Sequence, residues 1–335
     1  MTGVGYILSN LTSNITLLVL TYGIIAGIGV GMAYGVPLAI SAKWFPDKKG
    51  LAVGLTVIGF GLFPLVTAPI AKQLINAYGV QPTFIILGIA FTAIILVIST
   101  TLKAPPTGWK PAGWNPLESV TANGLVQRKP MLQTQTFYGL WLCYTIGSFV
   151  GLSAIGITSS AAQEIIGLDA NTAANTLSLF AIFINGAGRP FFGWLTDRTS
   201  SKIAAIVSFV PIVIGSIMML NARQGEVPTY LVAFSIFFFC LGGWLAIAPN
   251  STLSLFRAED YAKNYGIVFT AYGAGALAGT LIAGRIRDFF GSYTAFFYPT
   301  AGLAMVGIVL AVLMLKRTLK AASVPETPAE LTHRN

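Results

Sequence analysis

Charge is what this 335-residue sequence has least of: 9% of its residues are Asp, Glu, Lys or Arg, against about 25% in an ordinary soluble domain. Histidine is almost missing. The single copy, His333, lies in a polar C-terminal stretch, so a histidine-based metal site is excluded. Cysteine occurs twice, at Cys143 and Cys240, both inside apolar runs. Two such residues give neither a disulfide framework nor a zinc spacing and read as small buried hydrophobes. There is no phosphate loop of the Walker type, no Ser–His–Asp set and no cluster of metal ligands. ATP-driven chemistry and an enzyme are both set aside, and no cofactor is expected. Residues 1–14 carry no basic n-region, so the chain does not open on a signal peptide.

What is abundant is apolar. Hydrophobic residues make up 55% of the chain and the mean hydropathy is +0.74, which reads as an all-α polytopic membrane protein. Runs long enough to cross a bilayer fall near 17–42, 50–76, 82–102, 136–160, 172–195, 203–221, 228–254, 265–286 and 293–315. Residues 1–12 look like the tail of a further span. The chain holds 36 glycines, as expected where helices pack closely in lipid.

The net charge of +9 invites a nucleic-acid reading, but its distribution rejects one. The basic residues sit in short loops, and alternate loops separate by charge. One side holds fifteen Lys and Arg, the other only Lys72, Arg223, Arg285 and Arg287. By the positive-inside rule the richer side and the C-terminus are cytoplasmic. Such a chain belongs in the plasma (bacterial inner) membrane, with the lipid bilayer and a small organic anion as partners, no nucleic acid, and no second subunit required.

The expected organisation is a partial N-terminal bundle over residues 1–102, a Pro- and Trp-rich cytoplasmic loop over 103–135, a six-helix bundle over 136–318 and a disordered tail over 319–335. A weak repeat links the blocks. In 17–76 a helix with Pro37 leads through Lys48-Lys49-Gly50 to Gly54, Gly59 and Gly61. In 228–286 a helix with Pro249 leads through Lys263-Asn264-Tyr265-Gly266 to Gly273, Gly275 and Gly279. Repeated halves around a central loop mark secondary transporters, whose sites lie at mid-membrane between them.

Arg189 is the most informative residue. It stands in Asn185-Gly186-Ala187-Gly188-Arg189-Pro190, inside an apolar run that ends at Thr196-Asp197-Arg198. At ~1.5 Å per residue it lies about 12 Å inside Asp197, near the middle of a ~30 Å hydrocarbon layer. A guanidinium there costs at least ~2.5 kcal/mol, so it faces a cavity and has a task. The simplest task is to hold an anion. The plainer reading is a structural arginine bonding helix carbonyls or snorkelling to the surface. Asn185 lies one turn back on the same face and would orient Arg189, bond a substrate hydroxyl, or tie two helices. Tyr34 and Trp244, mid-helix among glycines, are candidate cavity walls; such aromatics equally serve packing. Glu164 and Asp169 read as a solvated external loop.

Three stretches resemble the major facilitator superfamily. Gly193-Trp194-Leu195-Thr196-Asp197-Arg198 is similar to its G-x-L-x-D-R motif, and residues 23–69 resemble its fourth and fifth helices. Lys43-Trp44-Phe45-Pro46-Asp47-Lys48-Lys49-Gly50, with Gly108-Trp109-Lys110-Pro111 and Lys263-Asn264-Tyr265-Gly266, resembles the oxalate/formate antiporter family, which includes bacterial lactate transporters. The resemblance covers nearly all of residues 3–316. It implies two pseudo-symmetric helical bundles, the N-terminal one lacking its first two to three helices, through a gene fragment or a misassigned start. It implies that Arg189 binds substrate, and that Asp197, Arg198 and Gly193 serve a gate in which Asp197 caps the next helix and bonds across to a neighbouring one. Tyr272 matches the place of a second membrane lysine in the oxalate transporter. One cation and a phenol suit a monocarboxylate such as lactate, formate or pyruvate better than a dianion. The expected function is alternating-access transport by proton symport or anion exchange. The alternatives are an oxalate:formate-type antiporter and a non-transporting sensor or fragment.

Overall fold

The computed structural model describes residues 1–11, 14–106, 108–111, 130–256 and 260–315. Every regular element among them is helical. In lipid each backbone N–H and C=O must be satisfied within its own segment, and a helix does this. A short helix α1 (Thr2–Ser9) precedes nine long ones. These are α2 (Ile15–Trp44), α3 (Lys49–Tyr78), α4 (Val80–Thr101) and α5 (Gln135–Ile166); α6 (Ala170–Arg198); and α7 (Ser201–Asn221), α8 (Val227–Leu255), α9 (Tyr261–Phe290) and α10 (Tyr293–Met314). Eight are long and apolar enough to cross a membrane. The remaining one, α6, has 29 residues and matches them in length.

The nine expected runs are all present, with ends shifted by a few residues. The largest shift is at α5, which continues past residue 160 through a π-helical turn, Ala162–Ile166. Sharp reversals fall on glycines with left-handed backbone: Gly79 (φ 85) between α3 and α4, and Gly291 (φ 70) between α9 and α10. Residues 112–129 of the central loop and 316–335, including the expected tail and His333, lie outside the described residues.

The best-buried core is in the second half. Within their most apolar windows α5 and α8 are 67% and 72% buried, whereas α2 and α4 are 11% buried. Tyr144, Phe209, Phe234, Phe237, Phe238 and Trp244 fill the space between α5, α7 and α8. Cys143 and Cys240 are free and buried in that core. α6 is wedged between α3 and α8, and glycines let the backbones meet. A Cβ on Gly54 of α3 would stand 2.6 Å from the carbonyl oxygen of Arg189, and one on Gly188 of α6 would strike the carbonyl of Phe239.

Candidate functional site

That wedge delivers Arg189 to the interface between α3 and α6. The residue is 3% exposed. One Nη2 hydrogen goes to Asn185 Oδ1 at 2.9 Å, the pairing expected from the i, i+4 spacing. Asn185 is itself held, its Nδ2 donating to the carbonyl of Phe238 on α8 at 3.2 Å. The amide thus bonds the guanidinium and ties α6 to α8 at once. Nη1 donates to the carbonyl of Val57 on α3. Among the described residues Nε has no hydrogen-bond partner, and the guanidinium carbon lies 6.0 Å from the centre of the Phe60 ring. The structural reading of Arg189 is therefore realised in part, yet only some of its five N–H donors are used.

A cavity of about 360 Å³ opens beside it, within the ~300–1,000 Å³ of small-ligand sites. α3 lines it with Phe60, Gly61 and Pro64, and α6 with Asn185 and Arg189. Ile155 and Thr158 of α5, Leu241 and Leu245 of α8 and Tyr272 of α9 complete the wall. The cavity runs from Arg189 toward the α5–α6 turn, away from Asp197. Its wall is mostly apolar, and Arg189 is the single ionised group among the lining residues.

Tyr272 shares the cavity wall with Arg189. Tyr34 and Trp244 are not among the residues lining the cavity, although the Tyr34 phenol is within electrostatic reach of Arg189. Tyr34 packs edge-on against Phe60 (5.4 Å) and stacks on Phe269 (5.1 Å). Trp244 is sealed behind Tyr144, their rings 6.1 Å apart, and against Phe209. Residues that sequence reasoning missed join this group. Tyr144 lies 6.1 Å from Tyr272, and Tyr265 is 6.5 Å from Tyr34. The guanidinium is within electrostatic reach of the phenols of Tyr34, Tyr272, Tyr144 and Tyr265. The hydroxyls of Tyr34, Tyr144 and Tyr265 are buried and lie close enough to interact with one another. One signal was in the sequence: Tyr261, Tyr265, Phe269 and Tyr272 recur at intervals of four, four and three, which places them along one face of α9.

The lysine-rich end is closed by Asp197. Its Oδ1 accepts from the amide of Gly50 (2.8 Å) and from Nδ2 of Asn250 (3.1 Å), and its Oδ2 accepts from the amide of Leu51 (2.9 Å). The carboxylate thus caps α3, where the free amides and the helix dipole favour an anion. Three helices, α3, α6 and α8, are joined there. Gly193 permits it, because a Cβ would strike the carbonyl of Gly50.

The Major Facilitator Superfamily profile matches residues 1–159 and 140–333. The chain belongs to the Major Facilitator Superfamily. It is 28% identical to the oxalate:formate antiporter of Oxalobacter formigenes over 295 residues, 88% of this chain and 68% of that protein. It is 26% identical to monocarboxylate transporter 13 of Bos taurus, over 92% of this chain and 70% of that one. Among solved structures the fucose:proton symporter of E. coli superposes with a TM-score of 0.64 at 16% identity, covering 94% of this chain and 82% of that one. This superfamily member is a multi-pass membrane protein, with the bundle fold its resemblance implied.

Two expectations need correction. Asp197 does not cap the helix that follows it. Ser200 does, accepting from the amide of Ile203, and this leaves Asp197 free for α3. Arg198 lies over the ring of Trp194, its guanidinium carbon 5.6 Å from the ring centre. Glu164 is not merely solvated: it belongs to the last turn of α5, pairs with Arg287 at 3.6 Å and accepts from the amide of Tyr293 at 2.7 Å.

Proposed function

We propose that this superfamily member carries small monocarboxylates, of the lactate, pyruvate or formate kind, across the plasma membrane by alternating access. The carrying observation is Arg189: a cation with unused donors at the floor of an apolar cavity, without a second cation in the lining. A carboxylate would take Nε and a free Nη hydrogen as a bidentate pair, a strong arrangement in a low dielectric. Tyr272 and Asn185 would fix its orientation. Tyr34 and Trp244 would shape the pocket from behind. The oxygen of a 2-hydroxy or 2-oxo acid would find donors in the phenol group. Names of relatives support the class, one an oxalate:formate antiporter and one a monocarboxylate transporter.

In this reading the state shown is closed at the cytoplasmic, lysine-rich face. Asp197 holds the closure, with Gly193 permitting the approach and Arg198 anchoring the end of α6 on Trp194. Residues 1–102 act as a partial N-terminal bundle and 136–318 as a six-helix bundle, with the C-terminus inside and one chain as the working unit. The Arg189–Val57 bond crosses from α6 to α3, so a carboxylate that draws the guanidinium toward the cavity weakens that bond and loosens the closure from within. Coupling is by proton symport or by exchange.

Purified protein in liposomes, supplied with labelled lactate, tests the reading. Arg189→Gln should abolish saturable uptake while membrane insertion stays intact; normal lactate affinity in that variant would sink it. The antiporter relative supports a second reading, oxalate:formate exchange. Oxalate competing far better than lactate would favour that one. Lactate binding without flux would leave a sensor or an inactive fragment.

A further inference from the structure

We propose that the corner joining the end of α2 to the segment after α4 is a binding site for the phosphate headgroup of an anionic phospholipid. Two indoles build it. Trp44, in the last turn of α2, donates its Nε1 hydrogen to the carbonyl of Lys103 at 2.9 Å. Trp109 returns the bond, donating Nε1 to the carbonyl of Trp44 at 3.1 Å. The rings meet edge-on with centres 5.1 Å apart. This reciprocal latch folds the segment after α4 back over the end of α2, although the bonded residues are 59 and 65 positions apart.

The latch gathers charge of one sign. Lys43 and Lys48 come from the α2–α3 turn, and Lys103 and Lys110 flank the latched segment. All four are exposed. None is in an ion pair among the described residues, and Asp47 is the one carboxylate in these two described stretches. Lys49 is not part of the group, since it is half-buried and within electrostatic reach of Asp197. Height in the membrane follows from the helices. Lys43 lies in the last turn of α2, and Lys103 stands two residues past Thr101, the last residue of α4, so both sit where the apolar spans give out. Indoles settle at that level, and Trp109 keeps 44% of its surface exposed. Unpaired ammonium groups beside an exposed indole at the boundary suit a phosphodiester whose acyl chains run along α2 and α4. A soluble phosphate ester would satisfy the lysines but make no use of the indole or the apolar helix ends. This inference stands apart from the identity of the transported acid.

The purified full chain, in detergent, would be given dioleoyl phosphatidylglycerol or dioleoyl phosphatidylcholine, and the lipid retained would be counted by native mass spectrometry. One phosphatidylglycerol should be held at least tenfold more tightly than phosphatidylcholine. Lys103→Ala/Lys110→Ala should weaken it about 25-fold, roughly fivefold per lysine. Trp109→Phe, which removes the N–H that closes the latch, should weaken it too. Should the double lysine variant elute or melt abnormally, Lys43→Ala/Lys48→Ala reads the same site from the other side. Equal retention of the two lipids, or retention indifferent to both lysine pairs, overturns the proposal. So does displacement by glycerol 3-phosphate as effective as by the lipid, which would make this a site for a free phosphate ester.

Discussion

Asp197→Ala is the sharpest perturbation of the closed face. It deletes three acceptor bonds, to the amides of Gly50 and Leu51 and to Asn250 Nδ2, without touching the cavity. The side chain is exposed, and water can re-solvate the freed amides. The low end of the hydrogen-bond range therefore applies, about 0.5–1 kcal/mol each. Together they amount to about 2 kcal/mol, or roughly a 30-fold change in the ratio of closed to open seam. Spin labels at Lys48→Cys and Thr199→Cys bracket the seam from α3 and α6. The native Cys143 and Cys240 are 0% and 1% exposed, so they should stay unlabelled. The parent should give one short distance distribution, and Asp197→Ala should add a longer one. Asp197→Asn, which keeps one carbonyl acceptor, should fall between. An identical short distribution in all three proteins would show that these bonds do not hold the seam.

Three further outcomes are expected. Asn185→Ala leaves a guanidinium N–H and the Phe238 carbonyl without their side-chain partners, at about 1–3 kcal/mol for each buried group; melting should fall and the KM for lactate rise about tenfold, and an unchanged KM would mean that Arg189 is oriented without the amide. Gly54→Ala sets a Cβ 2.6 Å from the carbonyl oxygen of Arg189 and 3.1 Å from Pro190 Cα, backbone that cannot step aside; affinity and seam closure should fall together, and wild-type behaviour in both assays would refute the packing argument. Tyr272→Lys puts a second cation in the cavity wall, so the ratio of oxalate to lactate inhibition should rise at least tenfold, and no change would show that position 272 does not read substrate charge.

The spans were legible because hydrophobic length is a property of the chain alone, and each appears as a helix. Their ends were less so, since polar residues can extend a helix past the apolar layer. α5 runs on through Gln163 and Glu164 because those side chains find Ser159, Arg287 and the amide of Tyr293. Arg189 and Asn185 were legible because a charge in hydrocarbon is anomalous and its partner lies one turn away. Tyr144 was not, because an aromatic in an apolar helix has the same pattern whether it packs or faces a cavity. The bond from Asp197 across to a neighbouring helix was expected, but its capping role was placed on the wrong helix for a local reason. An acidic residue before a helix reads as that helix's cap, yet Ser200 was closer, and the true acceptor role is 147 residues distant in sequence.

The arrangement of glycines explains why site and seam are one mechanical unit. Gly50 meets Gly193 beside Asp197, and Gly54 meets the Arg189 carbonyl about one turn further along α3. Gly61 carries the same line to the guanidinium, whose carbon would lie 2.9 Å from a Cβ at that position. A single ridge-free stripe on α3 thus sets the spacing at the Asp197 end and at the ligand end alike. Packed helices move as rigid bodies between discrete arrangements, not by continuous bending. A shift of α3 against α6 that frees the Gly50 and Leu51 amides must also move Val57 relative to Arg189. The sequence pattern Gly50, Gly54, Gly61 is in this sense as much a part of the binding site as the arginine it accommodates.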